Sequence, residues 1–197
     1  MAPITHGNIL AVFFSASEAE IQEGKAWYDQ ANLTCKEIAK RFNISTNQVA
    51  AIVAALSPNN RWHRNISDAE SLIKVHSASG DPNSVKVGTY SKNKEKAIRI
   101  LNKENPLNVL GGLKVRSFYS CLTGGDDVVV DGHAFAIWSG QRIPTTKTPK
   151  ISPALYANIA LDYRLATNVI NAATSDSLTP CQVQAATWVT WRNQFIK

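Results

Sequence analysis

The chain has 197 residues, of which 44% are hydrophobic and 18% are charged, and its formal net charge is +6. This length suits one globular domain, or two small lobes, with a substantial hydrophobic core. No apolar run is long enough to span a bilayer, and the N-terminus lacks the basic start and cleavage region of a signal peptide. We therefore expect a cytoplasmic protein without a membrane partner.

Helical patterns cover the first half of the chain. Thr34-Cys-Lys-Glu37 and Ser45-Thr-Asn-Gln48 have the residue types of capping boxes, so we expect a helix to begin at each. Pro58 ends the second helix, because a proline disfavours helical geometry at the residue before it. The next helix is predicted over residues 65–76, and a basic helix is predicted over residues 92–103.

The second half of the chain continues this pattern. Gly111-Gly112 interrupts it, and a further helix is predicted over residues 114–122. Asp131 follows an apolar run too short to be assigned as a strand, and it precedes another predicted helix. Residues 141–153 are typical of a loop because they contain three prolines. Two more helices follow, the last beginning at Thr179-Pro180, and the whole pattern predicts an all-α fold.

The cysteines and histidines give no sign of a metal centre. Cys35, Cys121 and Cys181 lie far apart, and no pair of them has metal-ligand spacing. The four histidines are also scattered along the chain. We therefore expect no disulfide framework, no metal and no cofactor, in keeping with a reducing compartment.

Basic residues concentrate in one part of the chain. Residues 86–116 contain eight lysines and arginines against two acidic residues, so this window matches the net charge of the whole chain. Such clustering favours a polyanionic partner. The alternative is a solvated helix face without a partner.

Asp131 and Lys114 are the candidate catalytic residues. A carboxylate stabilises the oxocarbenium-like state that forms when the bond between a base and its sugar breaks. A neutral amine can attack the sugar carbon and form a Schiff base. Asp131 could instead cap the following helix, and the two roles can coexist. Lys114 could instead contact a phosphate or lie on the surface.

Four segments, in this order, resemble the helix-hairpin-helix DNA glycosylase superfamily of the endonuclease III and 8-oxoguanine glycosylase types. The match covers roughly residues 45–140, and the chain is also similar to short bacteriophage proteins. The hairpin is about two residues shorter than in the family, and an ungapped match puts Arg116 in place of the family's lysine. The four segments are Leu56-Ser-Pro-Asn-Asn60, Gly88-Thr-Tyr90 with the basic helix after it, Leu110-Gly-Gly-Leu-Lys114 and Val130-Asp-Gly-His133.

The resemblance implies a two-lobed helical glycosylase-like fold with a helix-hairpin-helix and a central cleft. Residues 1–197 would form one compact unit. Residues 45–140 would supply the central helices, the hairpin and the catalytic aspartate, and residues 1–44 with 141–197 would form the second lobe. The implied protein is a monomer that excises a modified or damaged base after flipping it out of DNA. An abasic-site lyase (AP-lyase) step would follow if Lys114 is the nucleophile.

The resemblance also implies a set of residues that bind DNA, beside the catalytic pair. For several of them the alternative is a structural role without DNA, such as ending a helix, capping the next helix or filling the core. The implied DNA-binding residues are Asn59, Asn60, Trp62, Tyr90, Lys92, Gly111, Gly112, Arg116 and His133.

Two other functions fit the same residues. One is a phage enzyme that transfers a group onto a DNA base on the same fold, as in base hypermodification. The other is a DNA-binding module without catalysis. The sequence leaves open which base is recognised, and whether the partner is duplex or single-stranded, DNA or RNA.

Overall fold

The computed structural model describes residues 6–195, with Phe195 described by its backbone alone. This part of the chain is helical and contains no strand, which confirms the all-α prediction. No helix within it is long and apolar enough to cross a membrane. The helices are α1 (His6–Phe14), α2 (Glu18–Phe42), α3 (Thr46–Leu56), α4 (Trp62–Ser77), α5 (Ser91–Leu101), α6 (Pro106–Val109), α7 (Leu113–Leu122), α8 (Gly132–Ser139), α9 (Pro153–Thr174) and α10 (Pro180–Phe195).

Helix α2 begins 16 residues before the predicted start at Thr34, so that prediction is wrong. The capping box is Ser17 with Glu20: the Ser17 amide donates to the Glu20 carboxylate at 2.8 Å, and the Glu20 amide donates to Ser17 Oγ at 3.3 Å. The Thr34 hydroxyl instead donates to the Gln30 carbonyl one turn earlier, at 3.0 Å. A threonine can make this bond inside a helix as well as cap one.

The predicted cap of α3 is confirmed, because Ser45 Oγ accepts the Gln48 amide at 3.1 Å. The Gln48 side chain does not complete the box, since it donates to the Ile100 carbonyl at 2.8 Å. Every residue of α3 from Val49 to Leu56 is buried, and the helix packs against α4, α5 and α7. The predicted start of α4 at residue 65 is wrong by three residues, because Trp62 is already helical.

The helix boundaries near the C-terminus agree with the sequence. Helix α8 ends at Ser139, and its C-cap Gly140 is left-handed with φ 67°, a conformation that favours glycine. The predicted loop over residues 141–153 ends one residue earlier, because α9 begins at Pro153, and it contains a short 3₁₀ turn, Thr145–Lys147. Thr179 and Gln182 form a capping box at the start of α10, with amide-to-side-chain distances of 3.0 and 3.4 Å.

The chain divides into two compact units. Unit 1 comprises Met1–Asp29 and Gly125–Lys197, and unit 2 comprises Gln30–Gly124. This division differs from the predicted one at residues 44 and 140, because the first boundary falls inside α2 and the second falls before the buried run Val128–Val130. The central cleft and the helix-hairpin-helix assignment stay predictions.

A tyrosine explains why Asp131 belongs to unit 1. The Tyr156 hydroxyl donates to the Val128 carbonyl at 2.8 Å and accepts the Val130 amide at 3.1 Å. Both hydrogen bonds satisfy buried backbone groups that have no neighbouring strand to pair with. The residues just before Asp131 are thereby attached to α9, and α8 packs against α1, α9 and α10.

Gly24 allows two helix backbones of unit 1 to touch. A Cβ atom on Gly24 would lie 2.2 Å from the Cα atom of Ala186, so α2 and α10 leave no room for a methyl group. We therefore expect Gly24→Ala to lower the free energy of unfolding in urea by about 3 kcal/mol, the cost of overpacking a core. Gly7→Ala is the control, because a Cβ there meets nothing within 4 Å. Equal stability of the two variants would contradict this packing.

Candidate nucleic-acid interface

The carboxylate of Asp68, on α4, is the centre of a hydrogen-bond network in unit 2. Asp68 is only 3% exposed. Its Oδ2 accepts the Gly88 amide at 2.7 Å and the Asn60 side-chain amide at 3.0 Å. Its Oδ1 accepts Nε of Arg64 at 2.6 Å. One buried acid therefore joins α4, the loop after α3 and the segment before α5.

A second contact joins the same two loops. The Thr89 hydroxyl donates to the Pro58 carbonyl at 2.6 Å, and the Asn93 side-chain amide donates to Thr89 Oγ1 at 2.8 Å. Residues 57–61 and 88–90 are thus held side by side, and we call them together the paired loops. Two of the four segments on which the predicted glycosylase resemblance rests supply these loops.

The predicted DNA-binding residues in and beside the paired loops differ in exposure. Asn59 is exposed and left-handed, with φ 56°, a conformation that asparagine tolerates better than most residues. Tyr90 is exposed at the N-cap of α5. Asn60 is half-buried with its side-chain amide on Asp68, which gives it a structural role, and its predicted contact with DNA stays a prediction. Trp62 is half-buried in the first turn of α4.

Part of the basic window is already engaged within the chain. Lys94 Nζ donates to the Asn83 carbonyl at 2.6 Å, and Arg99 pairs with Glu104 at 2.7 Å. Lys92 is exposed in the first turn of α5, and Lys96 follows one turn later. A Cβ atom on Gly111 would lie 3.3 Å from Lys96 Nζ, so this ammonium group reaches the glycine pair. The cations of α5 and the glycine pair therefore belong to one surface.

The glycine pair connects α6 to α7. Gly112 is the N-cap of α7, with φ 80°, which a residue with a side chain rarely adopts. The Arg116 guanidinium donates to the Leu110 carbonyl at 2.8 Å and to the Leu107 carbonyl at 3.1 Å. Arg116 therefore braces this turn, and its predicted contact with a phosphate stays a prediction. Lys114 is half-buried, and it makes no hydrogen bond or ion pair with the residues that the structure describes.

Asp131, in unit 1, caps α8 as the alternative interpretation expected. Its Oδ1 accepts the amides of His133 and Ala134, both at 2.9 Å. Within residues 6–195 its other oxygen accepts no hydrogen bond, so half of the carboxylate is available to another group. Burial raises the pKa of the nearby Tyr163 hydroxyl, and the negative charge of Asp131 acts in the same direction.

The residues around Asp131 are closely packed. A Cβ atom on Gly132 would lie 2.8 Å from Thr148 Oγ1, so a side chain cannot replace this glycine without movement of the loop. The His133 ring lies edge-on to Trp188 with 6.4 Å between centroids. Arg192 covers the Trp188 ring at 4.5 Å. His133 is thus held by an aromatic contact, and its predicted contact with DNA stays a prediction.

Sequence reasoning missed Asp68 and Thr89 as the residues that hold the paired loops together. Asp68 left a readable signal, since it lies on the same helical stripe as the buried residues Asn65 and Leu72. A carboxylate at a buried position requires hydrogen-bond or ion-pair partners. In the part of the chain described, no group of three or more histidine, cysteine, aspartate or glutamate residues could hold a metal ion.

Comparison with known proteins identifies the family without indicating an activity. No curated protein matches the chain, and no solved structure matches it. One family model, described as a family of unknown function and designated DUF7178, matches residues 3–195. Since this match covers nearly the whole sequence, the chain belongs to the DUF7178 family.

Proposed function

We propose that this protein is a DNA glycosylase-like enzyme that removes a modified or damaged base by cleaving its N-glycosidic bond. The proposal rests on one observation: Asp68 joins the paired loops, and these loops lie just before the basic helix α5 in one case and just before α4 in the other. These loops are the segments that resemble the DNA contacts of helix-hairpin-helix glycosylases. Their proximity is what a shared DNA surface requires.

The charges of unit 2 support a phosphate backbone as the partner. Lys92 and Lys96 lie on one face of α5, and Lys96 reaches Gly111 beside the N-terminus of α7. Backbone amides at a helix N-terminus favour anions, and nearby ammonium groups add to that preference. A duplex or a single strand could lie across these groups.

Asn59 is the residue best suited to replace an extruded base. Flipping a base leaves a gap in the stack and costs a few kcal/mol. Asn59 projects from the paired loops with a short polar side chain, and its neighbour Asn60 anchors the loop from inside. Asn59 would then insert into the base stack, and the next residue, Asn60, would hold the loop in place.

Asp131 would supply the chemistry. One oxygen of its carboxylate is used by the helix cap, which fixes the orientation of the group. The other oxygen can stabilise the positive charge that develops on the sugar. Lys114, with no partner among the described residues, would supply the amine for an AP-lyase step.

The DNA surface is tested by the salt dependence of binding. We expect Lys92→Gln with Lys96→Gln to weaken DNA binding similarly for every sequence and to reduce the slope of log K against log salt by about 2, one unit for each lysine that no longer neutralises a phosphate. Fluorescence anisotropy with a labelled oligonucleotide at several salt concentrations measures both effects. Lys36→Gln with Lys40→Gln on α2 is the charge-matched control. If the two pairs change the slope equally, the binding is non-specific charge attraction.

The chemistry is tested by removing one charge. Asp131→Asn should retain the helix cap, because asparagine is a good N-cap residue. Base release should nevertheless fall by about 100-fold or more, since the charge no longer stabilises the cationic sugar. Mass spectrometry of small molecules released from modified DNAs measures this rate. The lyase step would be reported by cleavage of the DNA strand that the parent protein performs and Lys114→Gln does not.

The control for this experiment is Asp81→Asn, which changes another capping aspartate that accepts a backbone amide. It should leave base release unchanged. Full activity of Asp131→Asn would remove this residue from the mechanism. Incorporation of a group into DNA without base release would favour the hypermodification transferase, and binding without either reaction would favour the DNA-binding module.

A further inference from the structure

The outer face of α9 carries no charged residue. Its exposed large side chains are aliphatic: Leu161 is 56% exposed, Leu165 is 41% exposed and Val169 is 44% exposed. The two charged residues of the helix are engaged elsewhere, since Asp162 accepts Trp138 Nε1 at 2.6 Å and Arg164 pairs with Asp126 at 3.4 Å. A helix face that only meets water normally carries charged and polar side chains.

Six of the exposed residues of this face follow the spacing of a coiled-coil seam. Successive members are alternately four and three residues apart, which keeps them on one stripe of the helix. They also read the same in both directions, as alanine, asparagine, leucine, leucine, asparagine and alanine. The six seam residues are Ala154, Asn158, Leu161, Leu165, Asn168 and Ala172.

We propose that this seam binds a second copy of the chain, with the two α9 helices antiparallel about a two-fold axis at the level of Tyr163. Leu161 then packs against the partner's Leu165, and Asn158 lies opposite the partner's Asn168. A two-fold interface must be complementary to itself. In a parallel pair each residue meets its own copy whatever the order along the seam. In an antiparallel pair like residues meet only when the order is mirrored, as it is here.

The asparagines would determine the register of this pair. A side-chain amide both donates and accepts, so Asn158 and the partner's Asn168 can satisfy each other, and the symmetry repeats this pair at the other end. Polar residues at seam positions specify register at some cost in stability. A slipped register would place asparagine against leucine and leave an amide without a partner.

The size of the seam predicts a weak dimer. Ala154 and Ala172 are 18 residues apart, so the seam is about 27 Å long; since a helix is about 10 Å wide, each copy would bury roughly 300 Å². A stable interface buries about 800 Å² on each partner. The pair should therefore form and dissociate with concentration. The sequence alone suggested a monomer.

Sedimentation velocity of the full chain tests the surface over protein concentrations from about 1 µM to 1 mM. The parent should shift from monomer towards dimer within this range. Leu161→Glu with Leu165→Glu should stay monomeric, with an unchanged circular dichroism spectrum. Leu33→Glu is the control, because Leu33 on α2 is 47% exposed and lies outside the seam. A parent that stays monomeric at 1 mM overturns the proposal, as does loss of the dimer in the control.

Disulfide cross-linking tests the antiparallel register. Asn158→Cys mixed with Asn168→Cys should form a cross-linked dimer, whereas neither variant alone should do so, because identical positions lie about 15 Å apart along the axis. The native cysteines Cys35, Cys121 and Cys181 are buried, which keeps the background low. Cross-linking of Asn158→Cys alone would show a parallel pair and contradict the proposed register. A mixture that forms no cross-linked dimer would also contradict it.

Discussion

The candidate interface depends on one buried charge. An ionised carboxylate inside a protein is costly unless donors surround it. Asp68 receives three donors from three segments: the side chain of Asn60, the side chain of Arg64 and the amide of Gly88. The cost of burying the charge is offset only when these segments meet. The same acid that stabilises unit 2 therefore also determines where the paired loops lie.

Neighbouring residues in the candidate interface differ in whether their side chains bond within the chain. Asn60 turns inward to Asp68, whereas Asn59 is exposed in a left-handed conformation. Arg116 braces the carbonyls of the turn before α7, whereas Lys114, two residues earlier, has no partner among the described residues. Within Asp131 the division is between two oxygens, one of which caps α8. In each case one group is engaged within the chain, and the neighbouring group makes no side-chain hydrogen bond within residues 6–195.

Local chemistry explains which features the sequence predicts. The caps at Ser45 and Thr179 and the stop at Gly140 depend on residues a few positions apart, and the structure agrees with all three. The helix start predicted at Thr34 is wrong because the hydroxyl of a threonine inside a helix can donate to a carbonyl of the preceding turn. The role of Asn60 depends on an acid eight residues later, and the unit boundary inside α2 depends on tertiary packing. No pattern in the sequence alone reports either feature.

Asp68→Asn provides the most direct test of the account, because it removes the charge and replaces one acceptor with an amide group. Hydrogen exchange at the Gly88 amide and DNA affinity should be measured on the same variant. A hydrogen bond to a charged group contributes about 1.5–3 kcal/mol, so we expect exchange at Gly88 to accelerate by at least about 10-fold and DNA binding to weaken with it. Asp176→Asn, which removes an acid paired with Lys25, is the control. Unchanged exchange at Gly88, or unchanged affinity despite faster exchange, would contradict the account.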